Sequence, residues 1–155
     1  MLQLEESFFK KLSHFEKKYQ GLKLCIAASG GVDSTVLFQL FCRAKEKFPN
    51  LNIALAHVNY ALREEESNKD EAFVVSLADS MGVSFFCYHP EKTKKVAEKK
   101  VGVQAWARRE RYKFFETLVA DGWKIVLAHT KDCFSKSIFG YSILIYWVCY
   151  IFLIN

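Results

Sequence analysis

Leu22-Lys23-Leu24-Cys25-Ile26-Ala27-Ala28 runs directly into Ser29-Gly30-Gly31-Val32-Asp33-Ser34, and how this stretch is read decides the fold. The apolar run is too short for a helix and suits a buried strand. The paired glycines mark a tight turn. After them Val32, Val36, Leu37, Leu40, Phe41 and Ala44 recur at helical spacing until Pro49 stops the pattern. The unit is therefore a strand, a glycine turn and a helix.

The same alternation continues along the chain. Residues 52–58 (NIALAHV) predict a second strand. A helix follows from Glu65 to Met81, with Phe73, Leu77 and Met81 at four-residue intervals and Gly82 as its stop. Val83 to Tyr88 predicts a third strand, 103–120 a helix, and Trp123 to His129 a fourth strand. The lysine-rich connection from Lys92 to Lys100 reads as a solvated loop. Strands alternating with helices predict an α/β fold with a doubly wound parallel sheet, covered on both faces through right-handed crossovers. Ahead of it, residues 1–21 carry Phe8, Phe9, Leu12, Phe15 and Tyr19 at helical spacing and predict an amphipathic helix, not an export signal.

At 155 residues, 51% hydrophobic and 25% charged, the chain has room for one domain with a real core and not for a second large one. Twenty-two basic against 17 acidic side chains leave a net charge of +5, which suits a polyanionic partner without proving one. Cys25, Cys42, Cys87, Cys133 and Cys149 form no CxxC pair, so spacing indicates neither a zinc nor an iron–sulfur site. Their odd number argues against a disulfide framework, and the cytoplasm is the expected compartment.

The chemistry is concentrated in residues 29–34. At a strand-to-helix joint, unpaired backbone N–H groups and the helix dipole make an anion site. Glycines let the backbone approach phosphate oxygens and adopt positive φ. Ser29 and Ser34 add hydroxyl donors, while the Asp33 carboxylate belongs beside phosphates only if it holds Mg²⁺ or orients a second reactant. A Ser-Gly-Gly turn is also ordinary capping chemistry. Its place after the first strand of an α/β pattern, where ligands bind beyond the strands' carboxyl ends, favours a nucleotide phosphate site.

SGGVDS resembles the pyrophosphate loop of the N-type ATP pyrophosphatases and lacks the GK[ST] of a Walker loop. Three further segments are similar to the tRNA(Ile)-lysidine synthetase family. Residues 57–63 (HVNYALR) look like that family's HVNHxLR, with Tyr60 in place of the usual His, and place His57, Asn59 and Arg63 beside the nucleotide pocket. Glu66, Ser67 and Asp70 continue the family's acidic stretch, although acidic residues at a helix start also follow from the dipole. Residues 107–112 (ARRERY) match ARxxRY, with Arg108 and Arg111 three apart on one helical face as candidate anion contacts. Ala128-His129-Thr130-Lys131-Asp132 begins the family's AHxxDDQxET, and His129 is a candidate for positioning substrate. The match then fails, with Cys133, Phe134, Lys136 and Ser137 standing for Asp, Gln, Glu and Thr. The resemblance spans roughly Leu22 to Asp132.

The resemblance implies the adenine nucleotide alpha hydrolase-like fold. It also implies ATP and Mg²⁺ as cofactors, tRNA(Ile) with a CAU anticodon and free L-lysine as partners, and Ser29 to Ser34 as the ATP phosphate cradle. Asp33, Arg108, Arg111 and His129 become the candidate catalytic residues, with Asp33 on the metal. In this chemistry ATP adenylates the C2 carbonyl oxygen of the wobble cytidine, and the lysine ε-amine then displaces AMP. Self-association is compatible with the sequence.

From Ile138 to Ile154 the chain is uncharged and almost wholly apolar. Tyr141, Tyr146, Trp147 and Tyr150 are scattered through that run instead of gathered at interfaces, and no basic residue follows, which argues against a membrane anchor. The expectation is that residues 133–155 are an aberrant tail, replacing the true continuation through a frameshift near Lys131 to Ser135 and leaving the ligase chemistry inactive. Two alternatives stay open. One is a noncatalytic ATP-binding or membrane-attached remnant, and the other is a thiolase-type relative, which would need reactive cysteines.

Overall fold

A computed structural model describes residues 5–6, 8–10, 12–14, 21–91 and 102–128. The aberrant-tail expectation, the lysine-rich connection, His129, Phe15 and Tyr19 lie outside these residues. Four strands and three helices alternate: β1 (Lys23–Ala27), α1 (Val32–Lys47), β2 (Asn52–Val58), α2 (Glu64–Met81), β3 (Ser84–Tyr88), α3 (Val103–Ala120) and β4 (Lys124–Leu127). The strands form one parallel sheet in the order β3-β2-β1-β4. Register sets Cys25 between Ala54 and Ile125, so β1 is central.

This order places a switch point at β1. The chain leaves β1 through α1 and builds β2 and β3 on one side, then returns through α3 to lay β4 on the other. The loops after β1 and β4 therefore diverge and leave a crevice at the carboxyl edge of the sheet.

Strand alternation divides the core. Leu24 and Ile26 of β1, with Ile53 and Leu55 of β2, face α1 through Leu37, Phe38 and Phe41, and face α2 through Val74 and Ala78. Phe8 and Leu12 of the leading helical residues join this layer, Phe8 meeting Phe41 edge-on at 4.9 Å between centroids. Cys25, Ala54 and Ala56 face the other way, against Phe115 and Leu118 of α3. Central strands buried on both faces explain why β1 and β2 read as continuous apolar runs. No described helix is long and apolar enough to cross a membrane.

One expectation about α2 is corrected. Phe73 and Met81 are 42% and 48% exposed, while Val74 and Ala78 are fully buried. The real stripe is offset by one residue, with Leu77 partly buried at its flank. Small side chains let α2 lie close on the sheet, which a Phe at that contact would prevent. Gly82 ends the helix in the left-handed region at φ 59°, as its position in the sequence suggests.

Helix α3 is tied to β3 by polar contacts as well. Glu110, 8% exposed, accepts the Tyr88 hydroxyl at 3.1 Å and the Lys113 ammonium at 2.9 Å, and Tyr88 stacks on Phe114. Lys113 holds the Glu110 carboxyl below its ordinary value, helped by the Tyr88 hydrogen bond against the opposing effect of burial. Burial, with Glu110 beside it, pushes the Tyr88 phenol up.

Two outcomes are expected. Val74→Asp places a charge in the core and abolishes cooperative unfolding, whereas the neighbouring Phe73→Ser changes stability by no more than about 1 kcal/mol; urea titration distinguishes them. A carboxylate with a depressed folded value stabilises above its unfolded value, about 4.3 for Glu, and that stability is lost as pH falls through the lower folded value. Wild type is therefore more stable than Glu110→Gln at neutral pH, and the gap closes on acidification in thermal melts.

Candidate nucleotide-binding site

A cavity of about 460 Å³ opens in the crevice at the carboxyl edge of the sheet. Its first wall is the turn from β1 into α1. Gly30 sits at φ +85°, and a β-carbon there would stand 3.1 Å from Cβ, Cγ and Oδ1 of Asp70. Gly31 has φ −83°, and its β-carbon would meet only Ser29 Oγ at 3.4 Å. Positive φ, expected of the glycine pair, is thus adopted by Gly30 alone. Conformation favours glycine there, and the Asp70 side chain would have to shift to admit a larger residue.

The serines shape this turn. Ser34 Oγ donates to the Gly31 carbonyl at 2.9 Å and accepts the Ser29 N–H at 3.3 Å, while Ser29 Oγ accepts the Gly31 N–H at 3.4 Å. Thr35 Oγ1 also donates to the Gly31 carbonyl, at 3.0 Å. A hydroxyl has one proton to give. Ser34, 4% exposed, gives its proton to the loop itself. No side chain caps α1, so the positive end of its dipole and its first-turn N–H groups face the cavity as an anion site. Val32 is 78% exposed and lines the cavity. Asp33, also exposed, lines the cavity.

The second wall comes from the segment after β2. His57, 5% exposed, has Nδ1 2.8 Å from the Ala28 carbonyl. A carbonyl only accepts, so Nδ1 carries the proton, and the imidazole clamps the end of β2 to the end of β1. Asn59, 4% exposed, gives both amide protons away, to Asn68 Oδ1 at 3.1 Å and to Glu71 Oε2 at 2.7 Å, and its Oδ1 accepts the Ala61 N–H at 2.8 Å. That last bond closes a turn around Ala61, which sits at φ 49°. Asn59 therefore braces the wall instead of reaching for a ligand. Arg63 pairs with Glu66 at 2.8 Å, both exposed at the rim.

The third wall is α3. Arg111 lines the cavity and donates from Nε to the Tyr60 hydroxyl at 3.1 Å, while Tyr60 packs edge-on against buried Trp106. The two candidate arginines part company here. Arg108 is exposed, lies 4.9 Å over the Tyr112 ring and does not border the cavity. Phe115, Leu127 and Ala128 also line the cavity.

The remaining candidates thus gather around one cavity: residues 29 and 31–34, His57, Asn59, Arg63 and Arg111, with Gly30 inside the turn. Sequence reading missed two contacts. It placed Asp70 in a shared acidic stretch at a helix start, and the structure sets it beside Gly30. It noted Tyr60 only as a departure, yet Tyr60 anchors Arg111. Both contacts are long-range, and their only sequence signal was an acidic residue in a shared stretch and a substituted position in a shared motif. Asp33 and Asp70, both at the cavity, fit a Mg²⁺ ion, which takes one or two carboxylates together with substrate phosphates.

Among the described residues no cysteine lines this cavity. Burial pushes Cys25 up to about 12 and Cys42 to about 11, and burial with Glu71 nearby raises Cys87 to about 12. Without a metal ion beside them such thiols are protonated and poor nucleophiles, and only a bound cation would draw off the proton.

The chain is similar to known proteins in sequence and in fold. The tRNA(Ile)-lysidine synthase of Clostridium acetobutylicum is 33% identical over 115 residues, covering 73% of this chain and 25% of that protein. The enzyme of the same name from Thermosipho africanus is 30% identical over 140 residues, covering 89% and 32%. The chain thus spans about a quarter to a third of the length of these relatives. Among solved structures, the NH3-dependent NAD synthetase of Campylobacter jejuni superposes with a TM-score of 0.63 at 15% identity, over 90% of this chain and 62% of that one. The U34-tRNA thiolase of Methanococcus maripaludis gives 0.61 at 17%, over 81% and 46%. At such identities the likeness is one of fold. Residues 4–139 match the PP-loop domain, so the chain belongs to the PP-loop domain family.

Proposed function

We propose that this chain is the ATP-handling part of a tRNA-modifying ligase of the tRNA(Ile)-lysidine synthase type. The observation that carries the reading is the uncapped start of α1, opening through the Gly30–Gly31 turn onto a cavity at the sheet's switch point. In this reading the β- and γ-phosphates of ATP lie on the first-turn N–H groups of α1. Arg111, held by Tyr60, adds positive charge from the opposite wall. Asp33 and Asp70 would hold Mg²⁺, whose chemistry is to neutralise phosphate charge.

The C2 carbonyl oxygen of the wobble cytidine in a tRNA(Ile) with a CAU anticodon attacks the α-phosphorus, and the bond to the β-phosphate oxygen breaks. Backbone amides of the first turn of α1 stabilise the departing pyrophosphate. The ε-amine of free L-lysine then attacks C2, and AMP leaves with the former carbonyl oxygen. Exposed Arg108 faces solvent and suits a tRNA phosphate outside the cavity. His129, next after the cavity-lining Ala128, is the proposed residue for positioning substrate.

A second reading, a noncatalytic nucleotide binder, is favoured by Cys133 and Lys136, which stand where the resembling family carries carboxylates. The raised thiols of Cys25 and Cys42 argue against thiolase-type chemistry.

Calorimetric ATP binding and tRNA-dependent ATP–pyrophosphate exchange separate these readings. Under the ligase reading the chain binds ATP and exchanges pyrophosphate only with tRNA present. Gly30→Ala weakens ATP at least about tenfold, a loss of about 1.4 kcal/mol, while Gly31→Ala stays within a few-fold. Binding without exchange favours the noncatalytic reading, and a chain that binds no ATP sinks both.

A further inference from the structure

We propose that Glu71, Cys87 and His89 form a binding site for a divalent transition-metal ion of the Zn²⁺ class, at the outer edge of the sheet beside the nucleotide cavity. Glu71 projects from α2, Cys87 lies near the end of β3, and His89 follows two residues later. A two-residue step keeps Cys87 and His89 on one side of an extended chain, the side where α2 brings Glu71. One ligand atom from each residue lies within 4.8 Å of the others. His89 Nε2 is 2.8 Å from Glu71 Oε2, and Cys87 Sγ is 3.8 Å from His89 Nε2.

A tetrahedral ion with Zn–S near 2.3 Å and Zn–N and Zn–O near 2.1 Å holds its donors about 3.4–3.6 Å apart. The present separations bracket that range. An ion enters if the imidazole and carboxylate part by about half an ångström, exchanging their mutual hydrogen bond for two metal bonds. The mixed nitrogen, oxygen and sulfur set selects Zn²⁺ or Co²⁺ over Mg²⁺ and Ca²⁺, which prefer oxygen alone.

The surroundings fix the donors. Asn59 Nδ2 donates to Glu71 Oε2 at 2.7 Å, and that oxygen has a second lone-pair site with which to ligate. Asn59 is itself held by Asn68 and by the Ala61 N–H, the kind of outer support that metal ligands need. Buried Pro90 restrains the backbone immediately after His89. The His89 side chain is 60% exposed, so the ion would enter from solvent and keep an open position for water. Sequence spacing could not show this site, because it contains no CxxC pair and one donor comes from another element.

The site stands independently of the nucleotide reading, and its test uses the full chain without ATP. After treatment with a chelator, Co²⁺ is titrated in, with Zn²⁺ as competitor, and thiolate-to-cobalt charge transfer is read by absorption. The expected result is a saturable band that Zn²⁺ abolishes and Cys87→Ser removes. His89→Ala, at an exposed position, and Glu71→Gln each weaken Co²⁺ at least about tenfold, while a Cys133→Ser/Cys149→Ser variant titrates like wild type. Circular dichroism verifies that each variant is folded. No band, a band that survives in Cys87→Ser, or an affinity indifferent to His89→Ala would overturn the proposal and leave Glu71 and His89 as an ion pair alone.

Discussion

An anion site made of backbone amides must be left unsatisfied by the protein that builds it. The start of α1 meets that constraint: no side chain caps the helix, and the nearby hydroxyls are turned on the loop's own carbonyl and amides. The serine and threonine hydroxyls shape the turn from within, and neighbouring elements hold it from outside. The Asp70 side chain of α2 lies beside Gly30, and His57 locks the end of β2 to the Ala28 carbonyl just before the turn. The sheet below, buried on both faces in β1 and β2, supplies the rigid base.

The polar side chains around the cavity divide by what their hydrogen bonds leave over. Asn59 and Ser34 are buried and have given their protons to protein acceptors, so they hold walls in place. Asp33 is exposed at the cavity, and Arg111 has only its Nε committed among the described contacts, to Tyr60. A guanidinium carries five N–H donors, so most remain for an anion. Proximity to a cavity and availability to a ligand are thus separate properties.

Much of the fold was legible because α/β architecture writes itself in short apolar runs and glycine stops. Residues 52–58 and 103–120 match the observed β2 and α3, and the other boundaries among the described residues agree to within three residues. Helix α2 was read one residue out of phase, since large apolar side chains dominate a periodicity while the close contact is made by Val74 and Ala78. The Ser-Gly-Gly turn was legible as a local motif. What escaped were relations between elements: Tyr60 with Arg111, Asp70 with Gly30, and the separation of Arg108 from the cavity. Spacing on a helix can say that two side chains share a face, but not how much of that face a cavity reaches.

The placement of β4 bears on when the site comes into being. Its partner is β1, and Leu24 lies opposite Lys124, so the two strands that frame the switch point come from nearly opposite ends of the described chain. Closing so long a loop is entropically slow, and a parallel pairing of this kind forms late. Leu127 and Ala128 line the cavity only once that pairing exists. During synthesis the glycine turn leaves the ribosome early, yet it faces a half-built crevice until α3 and β4 have emerged and docked.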